Sequence, residues 1–171
     1  MNIITFLIRA IKIGSSFLYG STGETITEKS GHLNLGIPGI MCVGASCGCA
    51  AEAMYISSLA ENVSPNPIIA VLLPILAAFV GGALMGLVYS VLAVTLRANQ
   101  NVTGLALTTL GTGVSNYMIA QVDGAKFTSA SKYFTATLPF AENCGEIGRL
   151  FFSHGIMIYL AVAIAIVSSI V

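Results

Sequence analysis

The chain reads as an all-α, polytopic transmembrane helical bundle of about five membrane segments, with a broken helix near residues 30–39. Three observations carry that reading. Of the 171 residues, 56% are hydrophobic and 8% charged, where a soluble domain carries about a quarter charged. Mean hydropathy is +0.89, more apolar surface than a soluble core of this size can hide but not more than lipid can cover. The apolar residues also fall into runs of membrane length, at residues 3–22, 33–56, 68–96, 102–122 and 150–171, so residues 1–171 read as a single transmembrane domain. Net charge is zero, which leaves no basic footprint for nucleic acid.

The first run is interrupted by Arg9 and Lys12 where a signal peptide needs an unbroken apolar core. These two lie three apart on one helical face and can snorkel to an interface; an amphipathic helix lying on the membrane surface is the alternative. Glu24, Glu28 and Lys29 mark its other end. From Thr27 to Met41 three glycines (Gly31, Gly36, Gly39) and Pro38 sit among Ser30, His32 and Asn34. Almost no polar linker joins the flanking apolar runs, so part of this stretch is expected at membrane depth. Irregular backbone survives there only when buried in protein or lining a wet cavity, and helices broken by Gly or Pro mark substrate sites in transporters. A tight turn between two helices is the alternative.

The second segment is rich in small residues, and Gly44 and Gly48 form a small-xxx-small pair that lets another helix approach closely. Glu52, about 27 Å along a helix begun near Asn34, falls at the far interface as a solvated helix end. A polar turn at residues 57–66 precedes Pro67 and the third segment, which exceeds the roughly 20 residues a bilayer needs; a tilt or a bend at Pro74 would absorb the excess. Gly82 and Gly86 offer a second close-approach pair. The fourth segment carries Thr103, Gly104, Thr108, Thr109, Gly111, Thr112, Gly113, Ser115 and Asn116. It suits a helix packed among helices, while the third meets lipid through Leu72, Leu76 and Leu84. Residues 123–149 form a long polar connection, expected to be a folded extramembrane element or a functional loop.

Chemistry motifs are sparse, and no catalytic or metal site is expected. Cys42, Cys47, Cys49 and Cys144 read as structural cysteines rather than metal or redox residues, and His32 and His154 are far apart in sequence and lack ligand spacing. A Ser46–His154 nucleophile pair has no motif behind it. No phosphate loop is present, so the chain does not itself hydrolyse ATP.

Two stretches carry a resemblance. Glu28-Lys29-Ser30-Gly31 followed by Asn34-Leu35-Gly36-x-x-Gly39-Ile40-Met41, and Arg97-Ala-Asn-Gln-Asn101-Val102-Thr103-Gly104-Leu105-Ala106-Leu107, resemble motifs of ABC-importer permeases of the branched-chain amino acid/ribose superfamily. The nucleoside and simple-sugar subgroup, which works with basic-membrane-protein-type lipoproteins, is the most similar. Arg9 also falls where such permeases often carry an arginine. The resemblance implies a bacterial plasma-membrane permease with no cofactor of its own. Its partners would be membrane lipid, ABC ATPase subunits that bind the ATP, a second permease subunit, a substrate-binding lipoprotein and a small-molecule solute, a nucleoside before a simple sugar. The expected substrate path is Ser30, Gly31, Asn34, Gly36, Gly39, Asn101, Thr103, Gly104 and Thr108, with Gly44, Gly48, Gly82 and Gly86 as helix-packing positions.

The match departs at Pro38, where many members carry a Glu, so no substrate role is assigned to a carboxylate there. Such permeases are also nearly twice as long, and their coupling loop would lie downstream. The chain is therefore expected to be the N-terminal half of a permease and unable to transport alone. A secondary transporter or channel is the alternative, but it would want an intramembrane charge; a membrane-embedded enzyme would want a paired nucleophile and base. Residues 57–66 hold no Lys or Arg, whereas the neighbouring breaks hold Lys29 and Arg97, so the positive-inside rule places the N-terminus outside. Lys126, Lys132 and Arg149, in the long connection, argue weakly against it.

Overall fold

The computed structural model describes residues 3–59, 64–122, 134, 150 and 154–170. Among the described residues five helices follow in chain order: α1 (Ile3–Lys29), α2 (Ile37–Ser58), α3 (Pro67–Ser90), α4 (Gln100–Ala120) and α5 (Ile156–Ile170), with a π-helical turn at Val91–Thr95 continuing α3. The described residues hold no strand, and the architecture is the all-α one expected. Three of the described helices are long and apolar enough to cross a membrane: Ile3–Lys29, Ile37–Ser58 and Pro67–Thr95. Cys144 and the long connection at 123–149 lie outside the described residues, as do Lys126, Lys132 and Arg149.

The helix ends follow local chemistry. No proline interrupts the chain before Gly31, and α1 runs on past the expected end at residue 22, through Gly23 and the polar residues after it, to Lys29. Gly31, at φ 84°, then supplies the left-handed residue of a Schellman ending. Its N–H donates to Glu28 O at 2.9 Å and that of His32 to Thr27 O at 3.3 Å. Residues 32–36 are non-helical, and α2 starts at Ile37 rather than 33, because Pro38 fits only the first turn. Asn66 and Asn99 cap α3 and α4 through their side-chain oxygens, the first accepting from Ile68 N, the second from Asn101 N and Val102 N.

The described structure forms two compact units, Met1–Ile26 with Phe134–Val171, and Thr27–Tyr133. In the first, the Tyr19 hydroxyl donates to the Met157 carbonyl at 2.7 Å, and Ala161 is buried. In the second, α2 lies between α3 and α4. Along its α3 side, a Cβ placed on Gly44 would lie 3.0 Å from Ala78 O and one on Gly48 2.9 Å from Pro74 O. From α3 the close approach is made by Gly81, whose Cβ would meet Cys47 Sγ at 2.6 Å. The expected Gly82–Gly86 pair does not make it: Gly82 would reach only Ile40 Cγ2, at 3.9 Å, and Gly86 meets nothing within 4 Å among the described residues. On the α4 side the contact is main chain to main chain. A Cβ on Gly39 would lie 2.5 Å from Leu107 O and 2.6 Å from Thr108 Cα, and one on Gly111 would collide with the Gly39 backbone.

Among the described residues α4 packs through Thr103, Gly104, Leu107, Gly111 and Ser115; Thr108 and Thr112 are half-buried where Leu72, Leu76 and Leu84 are exposed, and Asn116 alone of the three expected inner residues is exposed like those leucines. One expectation is corrected. Glu52 is 2% exposed rather than solvated, because it lies in register with Gly44 and Gly48 on the four-residue stripe α2 turns inward.

Candidate functional site

The break between α1 and α2 is a non-helical stretch of the larger unit, and polar groups of its backbone are held by side chains from α3 and α4. Leu33 N donates to Gln100 Oε1 at 2.8 Å, and Leu33 O accepts from the Tyr89 hydroxyl at 2.6 Å. Leu35 O accepts from Thr108 Oγ1 at 2.7 Å. Gly36 N donates to Asn34 Oδ1 at 2.9 Å, within the segment itself. The Gln100 amide also meets His32 Nδ1 at 3.0 Å. Each of these backbone groups thereby has a partner within the protein.

The residues that provide it are placed by their helices. Asn99 caps α4 and so fixes Gln100 at its first position. One turn on, Gly104 lets the segment lie against the helix, since a Cβ there would sit 2.8 Å from Leu35 N and 2.9 Å from Gly36 N. Thr108 follows four residues later on the same face. Tyr89 belongs to a buried cluster with Ala93 and Leu107, against which Ile40 and Met85 pack. The π-helical turn closes α3 beyond it, with Leu96 N donating to Val91 O at 2.9 Å.

The structure therefore divides the expected path residues. Asn34, Gly36, Gly39, Thr103, Gly104 and Thr108 come together where the segment crosses α4, and there they pack: Asn34 is 5% and Thr103 8% exposed. Thr103 also lines a cavity of about 260 Å³ with Val88, Leu92 and Leu107. Ser30 and Asn101 are exposed, with Ser30 Oγ bound to Thr27 O at 2.6 Å, and Gly31 has open space around it. A larger groove of about 680 Å³ lies between the far ends of α2 and α4, lined by Ala53, Met54, Ser57, Tyr117, Met118 and Gln121, and none of the expected path residues lines it. Gln100, Tyr89 and His32 were not among the expected site residues. Gln100 stands inside the second motif, but nothing in a sequence tells that its side chain reaches a backbone sixty-odd residues away.

The Ser46–His154 pair gains no support. Ser46 Oγ donates to Val43 O at 3.0 Å, and His154 Nε2 is bonded to Leu150 O at 2.9 Å.

Comparison with known proteins supplies the family. The model of the branched-chain amino acid transport system / permease component family matches residues 6–171. The chain belongs to this permease family. It is a membrane protein, and its relatives are transporter subunits rather than enzymes. Similar curated proteins include the guanosine ABC transporter permease protein NupQ of Bacillus subtilis (strain 168), 25% identical over 98% of this chain and 52% of the relative. The nucleoside ABC transporter permease protein NupC of Lactococcus lactis subsp. cremoris (strain MG1363) is 24% identical over 98% of this chain and 52% of the relative. A putative glucose ABC transporter permease protein, TsgC13 of Haloferax volcanii, is 31% identical over 63% of this chain and 29% of the relative. The chain thus spans about half the length, or less, of the curated relatives it matches. No solved structure matches it.

Proposed function

We propose that the chain forms the N-terminal part of a permease subunit of an ATP-driven importer in the bacterial plasma membrane, passing nucleosides in preference to simple sugars. The observation that carries the proposal is the non-helical segment set between apolar helices, with its backbone held by Gln100, Tyr89 and Thr108. That arrangement suits a protein that lines a route through a bilayer. The relatives named for guanosine, nucleoside and glucose transport support the solute class.

In this reading the residues where the segment crosses α4 form a fixed wall of the path, and Ser30 and Asn101 lie on its exposed side. The permease binds no cofactor of its own. Separate ATPase subunits bind ATP, a second permease subunit completes the channel, and a lipoprotein delivers the solute. The N-terminus lies outside, so a cysteine at Ser58 is labelled from outside in intact cells; labelling only at a cysteine replacing Ala98 reverses the orientation.

Deleting the gene that encodes these residues is expected to abolish uptake of radiolabelled nucleoside, restored by a plasmid copy but not by one carrying Gly104→Leu. Undiminished nucleoside uptake in the deletion strain would reject the assignment. Loss of sugar uptake in its place would move the assignment to the second solute class.

A further inference from the structure

Gln100 meets the non-helical segment at two points, and the two fix each other. A backbone N–H can only donate, so the atom 2.8 Å from Leu33 N must be the carboxamide oxygen. The amide nitrogen then faces His32 Nδ1 at 3.0 Å, and because an NH₂ group can only donate, Nδ1 must be a bare acceptor. His32 is thereby assigned the tautomer with its proton on Nε2.

A second proton on the ring removes that acceptor. Both imidazolium nitrogens are donors, so Nδ1–H would face the Gln100 NH₂, donor against donor. Turning the amide over gives the imidazolium an oxygen but sets the NH₂ against Leu33 N–H. Neither orientation serves both neighbours, and the Leu33 amide loses its partner in the second.

We propose that His32 and Gln100 form a proton-sensitive clasp: it holds the Leu33 amide against the start of α4 while the imidazole is neutral and lets go when the imidazole is charged. Gln100 is the positioning residue and His32 the sensor. The titratable or charged groups next to the break in sequence or bonded to it are Glu28 and Lys29 at the end of α1, Tyr89 on α3 and Arg97 before α4; the first turn of α2 carries no acidic residue. Glu28, Lys29 and Arg97 are exposed, so their influence is screened by salt. Tyr89 keeps its bond to Leu33 O at 2.6 Å whatever the charge on His32. Release therefore frees one side of Leu33 and leaves the segment anchored by the other. The clasp is a property of the segment itself, so its failure would leave the transport reading standing, and the reverse holds too.

The test uses the 171-residue chain in lipid nanodiscs. Imidazole ¹⁵N shifts are expected to show the Nε2–H tautomer of His32 at pH 8. Hydrogen exchange at Leu33, corrected for intrinsic rates, should lose about fivefold in protection between pH 8 and pH 5, the loss of one hydrogen bond. Val43, buried in α2, should hold its protection as the internal control. Gln100→Glu should abolish the pH dependence, because a carboxylate accepts from Leu33 and from the imidazolium together. An Nδ1–H tautomer, equal Leu33 protection at both pH values, or a Gln100→Glu chain that loses protection as the wild type does would each overturn the proposal. Should that variant fail to reconstitute, the tautomer and the wild-type pH comparison decide.

Discussion

Helix α2 is held on two sides by different kinds of contact. Toward α4 the contact is backbone on backbone, with Gly39 over Leu107 and Thr108 and Gly111 over Gly39. Toward α3 it is looser and includes side chains: Gly44 and Gly48 approach the carbonyls of Ala78 and Pro74, while Gly81 receives Cys47. In lipid, helices gain little by hiding apolar surface from one another, so closeness of approach decides how well they pack. A seam closed by main chain cannot yield to an added methyl group, whereas one closed partly by a side chain can shift.

The largest test of that difference is Gly39→Val or Gly111→Val, expected to part α2 from α4 at a cost of about 3 kcal/mol, read by titrating the reconstituted chain with SDS. Next comes Gly81→Ala, whose Cβ would sit 2.6 Å from Cys47 Sγ. It should cost about 2 kcal/mol alone and much less beside Cys47→Gly, which removes both the Sγ and the Cβ that it would meet at 2.6 and 2.9 Å, since neighbours in contact are not additive. No such rescue should exist for Gly39, and finding one would erase the distinction between the seams. Gly31→Ala touches neither seam. Its φ of 84° is the only obstacle, with open space around it, so about 1 kcal/mol is expected, largely recovered by Asn. Smallest are Gly86→Ala and Gly113→Ala, both facing open space among the described residues and expected within about 0.5 kcal/mol of wild type. If either cost as much as Gly39→Val, packing against the described residues would not be what the inner glycines provide.

Much of this was legible in the chain, where the signal lies in residue type and spacing. Three glycines and Pro38 announced the break, and Gly44 with Gly48 announced a close helix. Local rules failed in identifiable ways. The first apolar run stops at residue 22, before Glu24, Glu28 and Lys29, but the helix continues through them to Lys29 and ends at the left-handed Gly31. Distance along α2 put Glu52 in water, whereas its angular register with Gly48 buries it. The Gly82–Gly86 spacing was as good a motif as Gly44–Gly48, yet Gly81 turned inward, because which face of a uniformly apolar helix meets its neighbour is not written in that helix. The same limit applied to α4, where threonines occur on both faces. Among site residues, the glycines were legible because backbone approach demands them. Gln100 and Tyr89 were not, because reach across the fold depends on where other helices stand.

The crossing of α2 and α4 has a mechanical consequence. Along the contacting faces Gly39 is followed a turn later by Val43, and Gly111 stands between Leu107 and Ser115, so a slide of one turn brings a side chain into a space with no room for a methyl group. The contact has no rotamers with which to adapt, so it offers no intermediate positions. The two helices cannot shear past each other, and any displacement of one is transmitted whole to the other, as through a pinned joint.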